Sequence, residues 1–418
     1  MFRLAYIVTH PIQYQAPLLR YIATGGEFDL DVFFLSDFSL HVHHEKAFNR
    51  TFQWDVPMTE GYSWELLPRW GIGPSNGMLS WWPARSIKQK LKRGNFDAVW
   101  VHGWGHIGLR QAIRAAHALA LPVLLRGESK PDSQPNRTLR GWLRHAFCHR
   151  LFRRVGGYLC IGSLNREFYR GFGVPEEKLF SMPYAVDNEW FRTRSSEATA
   201  RREAFRKETG LEPGRPVILF AAKFIPVKAP GDLLEAYKQA WSGKRPGVVA
   251  SPPQAKKDGV KPYLLFVGDG PLRGVLEAQA GALKGSDVRF LGFKNQTELP
   301  ALYDLCDVFV LPSVHEPWGL VVNEVMNAAK PVIVSDRVGA APDLVEDGIN
   351  GFTYQSGDVV ALAMKLKKIL ESPQTEREKM GQRSLERINT WDFTADRDGL
   401  LTALSFVYLK RHQGGIAI

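Results

Sequence analysis

Two glutamates and two lysines are the side chains whose types and spacing suggest chemistry. Glu316 lies in the loop after an apolar β-branched run, Val308 to Leu311. Glu324 sits a little more than one turn into a helical pattern that opens near Gly319, where Leu320, Val321, Val325 and Ala328 recur at helical spacing. Lys223 and Lys228 follow an earlier apolar run, Val217 to Ala221. A lysine pair facing the amides of a helix start, here Trp318 to Val321, supplies charge neutralisation and donors together, which is what a diphosphate needs. One carboxylate in the loop and another on the helix would hold two hydroxyl-bearing parts of one ligand. The same acids also suit plain helix capping, because a carboxylate stabilises the positive end of the helix dipole. Taken alone, the pair does not decide between the two.

The elements that must position these groups are strands and helices in alternation. In the second half, strands are predicted at Val217 to Ala221, Tyr263 to Val267, Val288 to Leu291, Val308 to Leu311 and Pro331 to Val334, with helical patterns between them. Each chemical signal then falls at the carboxyl end of a strand, where ligands of doubly wound sheets sit. Lys223 and Lys228 follow the first strand, Gly268, Asp269, Gly270 and Pro271 the second, and Gly292 with Phe293 the third. Gly268 and Gly292 let backbone approach a base or ribose.

The first half shows the same alternation, with strands at Phe2 to Val8, Leu30 to Leu35, Ala98 to Val101, Val123 to Arg126 and Tyr158 to Ile161. A helix is expected at Ala16 to Ala23. The turn before it, with His10, Pro11, Ile12 and Gln13, lacks the glycines of the dinucleotide fingerprint. His102, in the run His102-Gly103-Trp104-Gly105-His106 at a strand's carboxyl end, is a candidate ligand contact, although a lone histidine is more often structural. Residues 41 to 82 carry Phe48, Phe52, Trp54, Tyr62, Trp64, Trp70, Trp81 and Trp82 among Pro and Gly. They suit a wall for a sugar or lipid acceptor, or a long excursion packed on the domain.

A helix from Arg137 to Arg154 would place Leu139, Trp142, Leu143, Ala146, Phe147 and Leu151 on one face and Arg140, Arg144, His145, Arg153 and Arg154 elsewhere. Such a helix lies on an anionic membrane or is simply a surface helix with a solvated face. Pro183 to Phe191 reads as a hinge, residues 197 to 208 as a charged helix, 242 to 262 as a mobile Pro/Gly/Lys-rich loop, and Phe393 to His412 as a closing helix. The expected organisation is a first domain, 1–190, joined by the closing segment 393–418, and a second domain, 191–392, with a cleft between them.

A chain of 418 residues, 44% hydrophobic and 23% charged, has the size of two globular domains of about 200 residues. No apolar run approaches the roughly 20 residues that span a bilayer. MFRLAYIVTHPIQ leads straight into structure, so a cytoplasmic protein is expected. The 3 cysteines, Cys148, Cys160 and Cys306, lack metal-ligand spacing and fit a reducing compartment. With 54 Lys and Arg against 43 Asp and Glu, the net charge of +11 favours anionic partners.

These motifs resemble glycosyltransferase family 4, the retaining nucleotide-sugar enzymes of GT-B fold. The resemblance rests on AAKFIPVKAPGDLLEA, VGDGP, VRFLGF, HEPWGLVVNEVM and PVIVSDRVGAAPDLVEDGINGF. It is looser over VHGWG, IGSLNREFYRGFGVPEEKLFSMPYAVD and THPIQYQAPLLR, the last similar to exopolysaccharide-type members. It implies an α/β protein of two Rossmann-like doubly wound domains facing across a cleft, with a C-terminal helix crossing back to the first. It implies Lys223 and Lys228 on the diphosphate, Glu324 on the ribose, Glu316 and His102 on the transferred sugar, and amides of Gly319, Leu320 and Val321 as donors. The donor would be a UDP- or GDP-sugar, with no further cofactor and no metal. The acceptor would be a saccharide or lipid-linked. Apart from the resemblance, the net charge of +11 and the basic helix leave open a peripheral contact with an anionic membrane, at its inner face, and nucleic acid is not expected as a partner.

Three departures stand out. Lys223 replaces a usual Arg and loses its bidentate fork. Asp343 stands where Glu often occurs, and PIQYQ stands where many members have a Gly pair. Two rival readings are a sugar-nucleotide epimerase on a similar fold and a non-catalytic binder of anions or membranes.

Overall fold

A computed structural model describes the chain except residues 46–49, 68–83, 132–137, 242–259, 282–286 and 414–418. Phe48, Trp70, Trp81 and Trp82 of the aromatic stretch, and most of the 242–262 segment, lie outside the described residues. In chain order the strands are β1 (Phe2–Val8), β2 (Phe28–Phe34), β3 (His43–Glu45), β4 (Arg50–Phe52), β5 (Ser63–Leu66), β6 (Ala98–His102), β7 (Val123–Arg126), β8 (Gly157–Cys160), β9 (Leu179–Ser181), β10 (Val217–Ala221), β11 (Tyr263–Val267), β12 (Val288–Gly292), β13 (Val308–Leu311), β14 (Val332–Ser335) and β15 (Gly351–Tyr354).

The chain divides into two compact units. One comprises Met1–His43, Val56–Asp187 and Trp391–Ile418, the other His44–Asp55 and Asn188–Thr390. Residues 44–55 thus cluster with the second unit, outside the run 1–190.

Each unit is built on one parallel sheet. The first has the order β5-β2-β1-β6-β7-β8-β9 and the second β12-β11-β10-β13-β14-β15. Every neighbouring pair is parallel, for example Leu4 opposite Leu30 in one and Leu219 opposite Leu265 in the other. Helices cover both faces of such a sheet, so its central strands are apolar throughout, and all residues of β10 and β13 are buried. These are the two Rossmann-like doubly wound domains expected from the motifs. Strand order reverses beside β1 in the first unit and beside β10 in the second. The loops after β1 and β6, and after β10 and β13, therefore diverge to opposite faces and leave a crevice at the strands' carboxyl ends.

The helix Phe393–Gln413 belongs to the first unit, where Leu400, Ala403, Leu404 and Val407 join the core built on β1, β2 and β6. It packs so closely on β9 that a Cβ on Gly399 would stand 1.8 Å from the Ser181 carbonyl oxygen. Asp396 fixes it in place: Arg126, 1% exposed, donates to Asp396 Oδ1 at 2.9 Å and to the carbonyls of Met182 and Pro183 at 3.1 and 2.9 Å.

Two local expectations are corrected. The boundary between the units, Asp187 to Asn188, falls inside the span read as a hinge, but the span's last residues already enter a helix, Asn188–Thr199, and the helix expected at 197–208 covers only Arg202–Glu208. Packing overrides propensity there. Phe191 is 1% exposed, with Tyr303 at a ring separation of 6.3 Å, and Asn188 donates to the Ile388 carbonyl at 3.1 Å.

The helix Leu139–Phe152 forms with most of its apolar stripe outward, not against the domain as in an ordinary surface helix. Gly141, Cys148 and Phe152 are buried, and His145 stacks on Phe172 at 4.7 Å, while Leu139, Trp142, Leu143 and Phe147 are exposed. Phe152 packs among Trp104, Phe168, Tyr169 and Phe172, Cys148 joins the same core, and of the predicted apolar face only Leu151 packs against it, partly buried.

Candidate functional site

In the second unit the switch point lies between β10 and β13, and a lysine from one loop meets a glutamate from the other there. The chain leaves β10 through Lys223 and turns at Pro226–Lys228. Lys228 Nζ donates to Glu316 Oε2, which also accepts from Ser313 Oγ at 3.4 Å. The loop holding Glu316 is fixed on both sides by backbone. Its amide donates to the Arg337 carbonyl at 3.2 Å, and its carbonyl accepts from Gly339 N at 3.0 Å. Val314 N donates to the Val227 carbonyl at 2.9 Å, which ties the loop after β13 to the loop after β10. The Lys228 and Glu316 side chains are 20% and 11% exposed, so each charge depends on the other for the solvation it has lost. Lys223 Nζ lies 3.7 Å from Glu45 Oε1, a half-buried pair of small energetic weight.

Glu324 projects from the helix Leu320–Met326 and is held differently. Tyr303 Oη, from the helix Leu299–Leu305, donates to its Oε2 at 2.5 Å. Burial pushes the Glu324 carboxyl up to about 7, against the pull of that hydrogen bond. The helix starts at Gly319, at φ +96°, with Trp318 buried just before it; Trp318 Nε1 donates to Asn323 Oδ1 at 2.9 Å. Gly319 needs its left-handed backbone, which Leu320 and Val321 then leave for the helix.

The loops after β10, β11 and β12 touch one another. Gly268 N donates to the Gly292 carbonyl at 2.8 Å, and a Cβ on Gly268, at φ +131°, would stand 2.0 Å from the Ala222 carbonyl oxygen. Close approach at Gly268 is therefore already demanded inside the chain. Gly270 N donates to Asp269 Oδ1 at 2.8 Å, and Asp269 pairs with Arg273 at 3.0 Å. Phe293, after β12, packs on Phe52 with ring centroids 4.5 Å apart, and the Arg50 guanidinium lies 5.6 Å from the Phe293 ring. Phe52 and Arg50 stand on β4, in the stretch that clusters with this unit.

The first unit has its own cluster at the β1–β6 switch point. Gln15 Nε2 lies 3.0 Å from His102, and Tyr184 Oη 3.5 Å from His102 Nε2. Burial, then the charge of Arg126 and then His10, push the His102 imidazole down to about 3, so it is neutral at any physiological pH. Beside it, exposed Glu128 accepts at Oε1 from Tyr14 Oη at 3.0 Å and from Tyr184 Oη.

The geometry thus brings Lys228 to Glu316 and Gly268 to Gly292, and leaves Lys223 and Glu324 with partners of their own, Glu45 and Tyr303. Sequence reasoning missed Ser313, Tyr303, Tyr184 and Glu128. Glu128 was findable, since it follows a strand's carboxyl end by the same rule as Glu316; Tyr303 was not, being one buried aromatic among many. Among the described residues, no group of three or more His, Cys, Asp or Glu suited to a metal ion occurs.

Residues 201–387 match the family model of the group 1 glycosyl transferases. The sulfoquinovosyl transferase SQD2 of Arabidopsis thaliana is 31% identical over 213 residues, 50% of this chain and 36% of that protein. The alpha-D-kanosaminyltransferase of Streptomyces kanamyceticus is 26% identical over 217 residues, 52% of this chain and 51% of that one. The chain thus spans about half the length, or less, of these curated relatives. Among solved structures, Anabaena Alr3699/HepE, in complex with UDP and glucose, superposes with a TM-score of 0.67 at 17% identity, over 97% of this chain and 100% of that one. A glycosyltransferase of Rickettsia africae gives 0.71 at 14% identity, over 99% of each chain. At such identities the likeness is one of fold.

Proposed function

We propose that the chain is a retaining glycosyltransferase that moves a hexosyl unit from a UDP- or GDP-sugar to a hydroxyl of a saccharide or lipid-linked acceptor, in polysaccharide or glycoconjugate synthesis. The observation that carries this reading is the Lys228–Glu316 pair at the β10–β13 switch point, inside the segment matching the group 1 glycosyl transferases. A solved structure of similar fold that holds UDP and glucose supports a uridine donor.

The pair has a chemical logic. Without donor, each charge satisfies the other. When a diphosphate arrives, Lys228 exchanges the carboxylate for phosphate oxygens, and Glu316 is released to accept from hydroxyls of the sugar. Lys223 adds the second positive charge, and the amides of Gly319, Leu320 and Val321 add donors at the same oxygens. Glu324 accepts from the ribose hydroxyls, and Gly268, Gly270, Gly292 and Phe293 border the nucleoside. In transfer, the bond from the anomeric carbon to the diphosphate breaks and the bond to the acceptor oxygen forms on the same face. The departing phosphate oxygen takes the acceptor's proton. The lysines stabilise the leaving diphosphate by preorganised charge, so no carboxylate has to act as nucleophile.

The test is turnover of a nucleotide-sugar panel by Glu316→Ala and Lys228→Ala, with thermal unfolding as control. Both variants should lose transfer while still folding, and normal turnover by both would overturn the assignment. Conversion of the donor without any acceptor would point to an epimerase instead.

A further inference from the structure

We infer that the outward face of the helix Leu139–Phe152 docks the chain on an anionic membrane surface. The face is apolar and, among the described residues, exposed: Leu139 is 76% exposed, Trp142 67%, Leu143 56% and Phe147 38%, and Ala146 completes the stripe. Continuing the same side of the helix, Arg150 and Arg153 are exposed. Water gains nothing from such a stripe, since four large apolar side chains on one surface mark an interaction site.

Charge identifies the occupant. From Ser133 to Arg166 the chain contains no Asp or Glu and carries 7 Arg, although over its whole length acids number 43 against 54 Lys and Arg. The basic rim extends to the neighbouring helix Ile107–His117, itself free of acids. Its Arg110 lies 5.2 Å from the centre of the Phe147 ring while donating to the carbonyls of Trp104 and Gly105 at 3.0 and 2.7 Å. Leucines flanked by tryptophan at the centre and arginines around them are the arrangement of a helix lying in a bilayer interface. The apolar chains enter about 5–10 Å, and the guanidinium groups reach back to headgroup phosphates. A nucleic acid would instead need donors at the centre of the patch, where Leu139 and Leu143 offer none. No helix among the described residues is long and apolar enough to cross a membrane, so the contact is peripheral. Docking rests on this helix alone and stands or falls apart from the transfer reaction.

The test is co-sedimentation of the full chain with phosphatidylcholine vesicles and with equal parts phosphatidylcholine and phosphatidylglycerol. Binding is expected to the mixed vesicles only and to weaken with salt. Losing an arginine near the surface weakens such binding about fivefold. Arg150→Glu with Arg153→Glu should therefore weaken it at least about 25-fold, and Trp142→Ser with Leu143→Ser should abolish it. All four positions are exposed, so unfolding temperature and turnover of a soluble nucleotide-sugar should not change. The inference is overturned if mixed vesicles do not bind, or if the Trp142/Leu143 variant binds like the parent. Duplex RNA competing fully with vesicles, in a manner lost only with the arginines, would assign the face to nucleic acid. Self-association lost with Trp142→Ser would assign it to a second copy.

Discussion

Glu324 should make donor binding depend on pH near neutrality. Its carboxyl, pushed up to about 7 by burial, is half protonated there. A protonated carboxyl is a poorer acceptor for two ribose hydroxyls. In the limit where only the carboxylate binds, occupancy of the competent form changes about 30-fold between pH 8.5 and pH 5.5. The affinity should therefore fall as pH drops through about 7, by up to that factor. Tyr303 supplies an internal check, because its hydroxyl donates to the ionised form and so holds the carboxyl below where burial alone would put it. Tyr303→Phe removes a hydrogen bond to a charged group worth about 1.5–3 kcal/mol, which should raise the midpoint by one to two pH units. Glu324→Gln should bind more weakly and lose the dependence. Titration calorimetry with UDP-glucose and GDP-mannose suits the measurement, since a diesterified diphosphate does not itself titrate in this range. A midpoint that stays put or falls in Tyr303→Phe, or a dependence that survives in Glu324→Gln, refutes the reasoning.

Ligand-free stability follows the opposite sign from donor affinity. Because the folded Glu324 carboxyl is raised, its contribution is complete below about 4.5 and is lost as pH rises through about 7. Glu324→Gln should therefore unfold at higher temperature than the parent at pH 8 and not at pH 4, as calorimetry would show. Burial pushes the Asp396 carboxyl up to about 7 against the pull of Arg126, so at pH 8, where it is ionised, Asp396→Asn leaves Arg126 without its counter-charge in a site 1% exposed and should cost the first unit about 3–5 kcal/mol in denaturant melts, with faster hydrogen exchange across Phe393–Gln413. Gly268→Ala adds a Cβ 2.0 Å from the Ala222 carbonyl oxygen at a φ of +131° and should cost about 1–3 kcal/mol or more. The 3 thiols of Cys148, Cys160 and Cys306 are buried, the last two pushed up to about 12 by burial, so a thiol reagent should label none in the native chain and all after unfolding.

The fold was most legible where a strand is buried on both faces. β7, β10, β11 and β13 stand where apolar runs bounded by polar or turn residues predict them, because such runs suit little else. β5, β9 and β15 escaped, being short strands at or near a sheet edge whose pairing depends on neighbours distant in sequence. At the candidate site, position along the chain was readable and partnership was not. Strand ends located Lys228 and Glu316, but only the register of β10 beside β13 makes them an ion pair. Likewise, periodicity found both faces of Leu139–Phe152 and could not tell which faces the core, since that depends on the aromatic cluster receiving Phe152.

The placement of Phe393–Gln413 sets an order of events during synthesis. Leu400, Ala403, Leu404 and Val407 complete a core whose other members, such as Leu4 and Tyr6, are made before the main segment of the second unit. Between Asp187 and Trp391 the whole main segment of the second unit must be translated, on the order of 10–40 s at the usual rates. During that interval the nascent first unit exposes the sheet face that this helix will cover. A chaperone that shields apolar sheet surface should accordingly be held until the helix Phe393–Gln413 leaves the ribosome, and a chain cut at Thr390 should never release it.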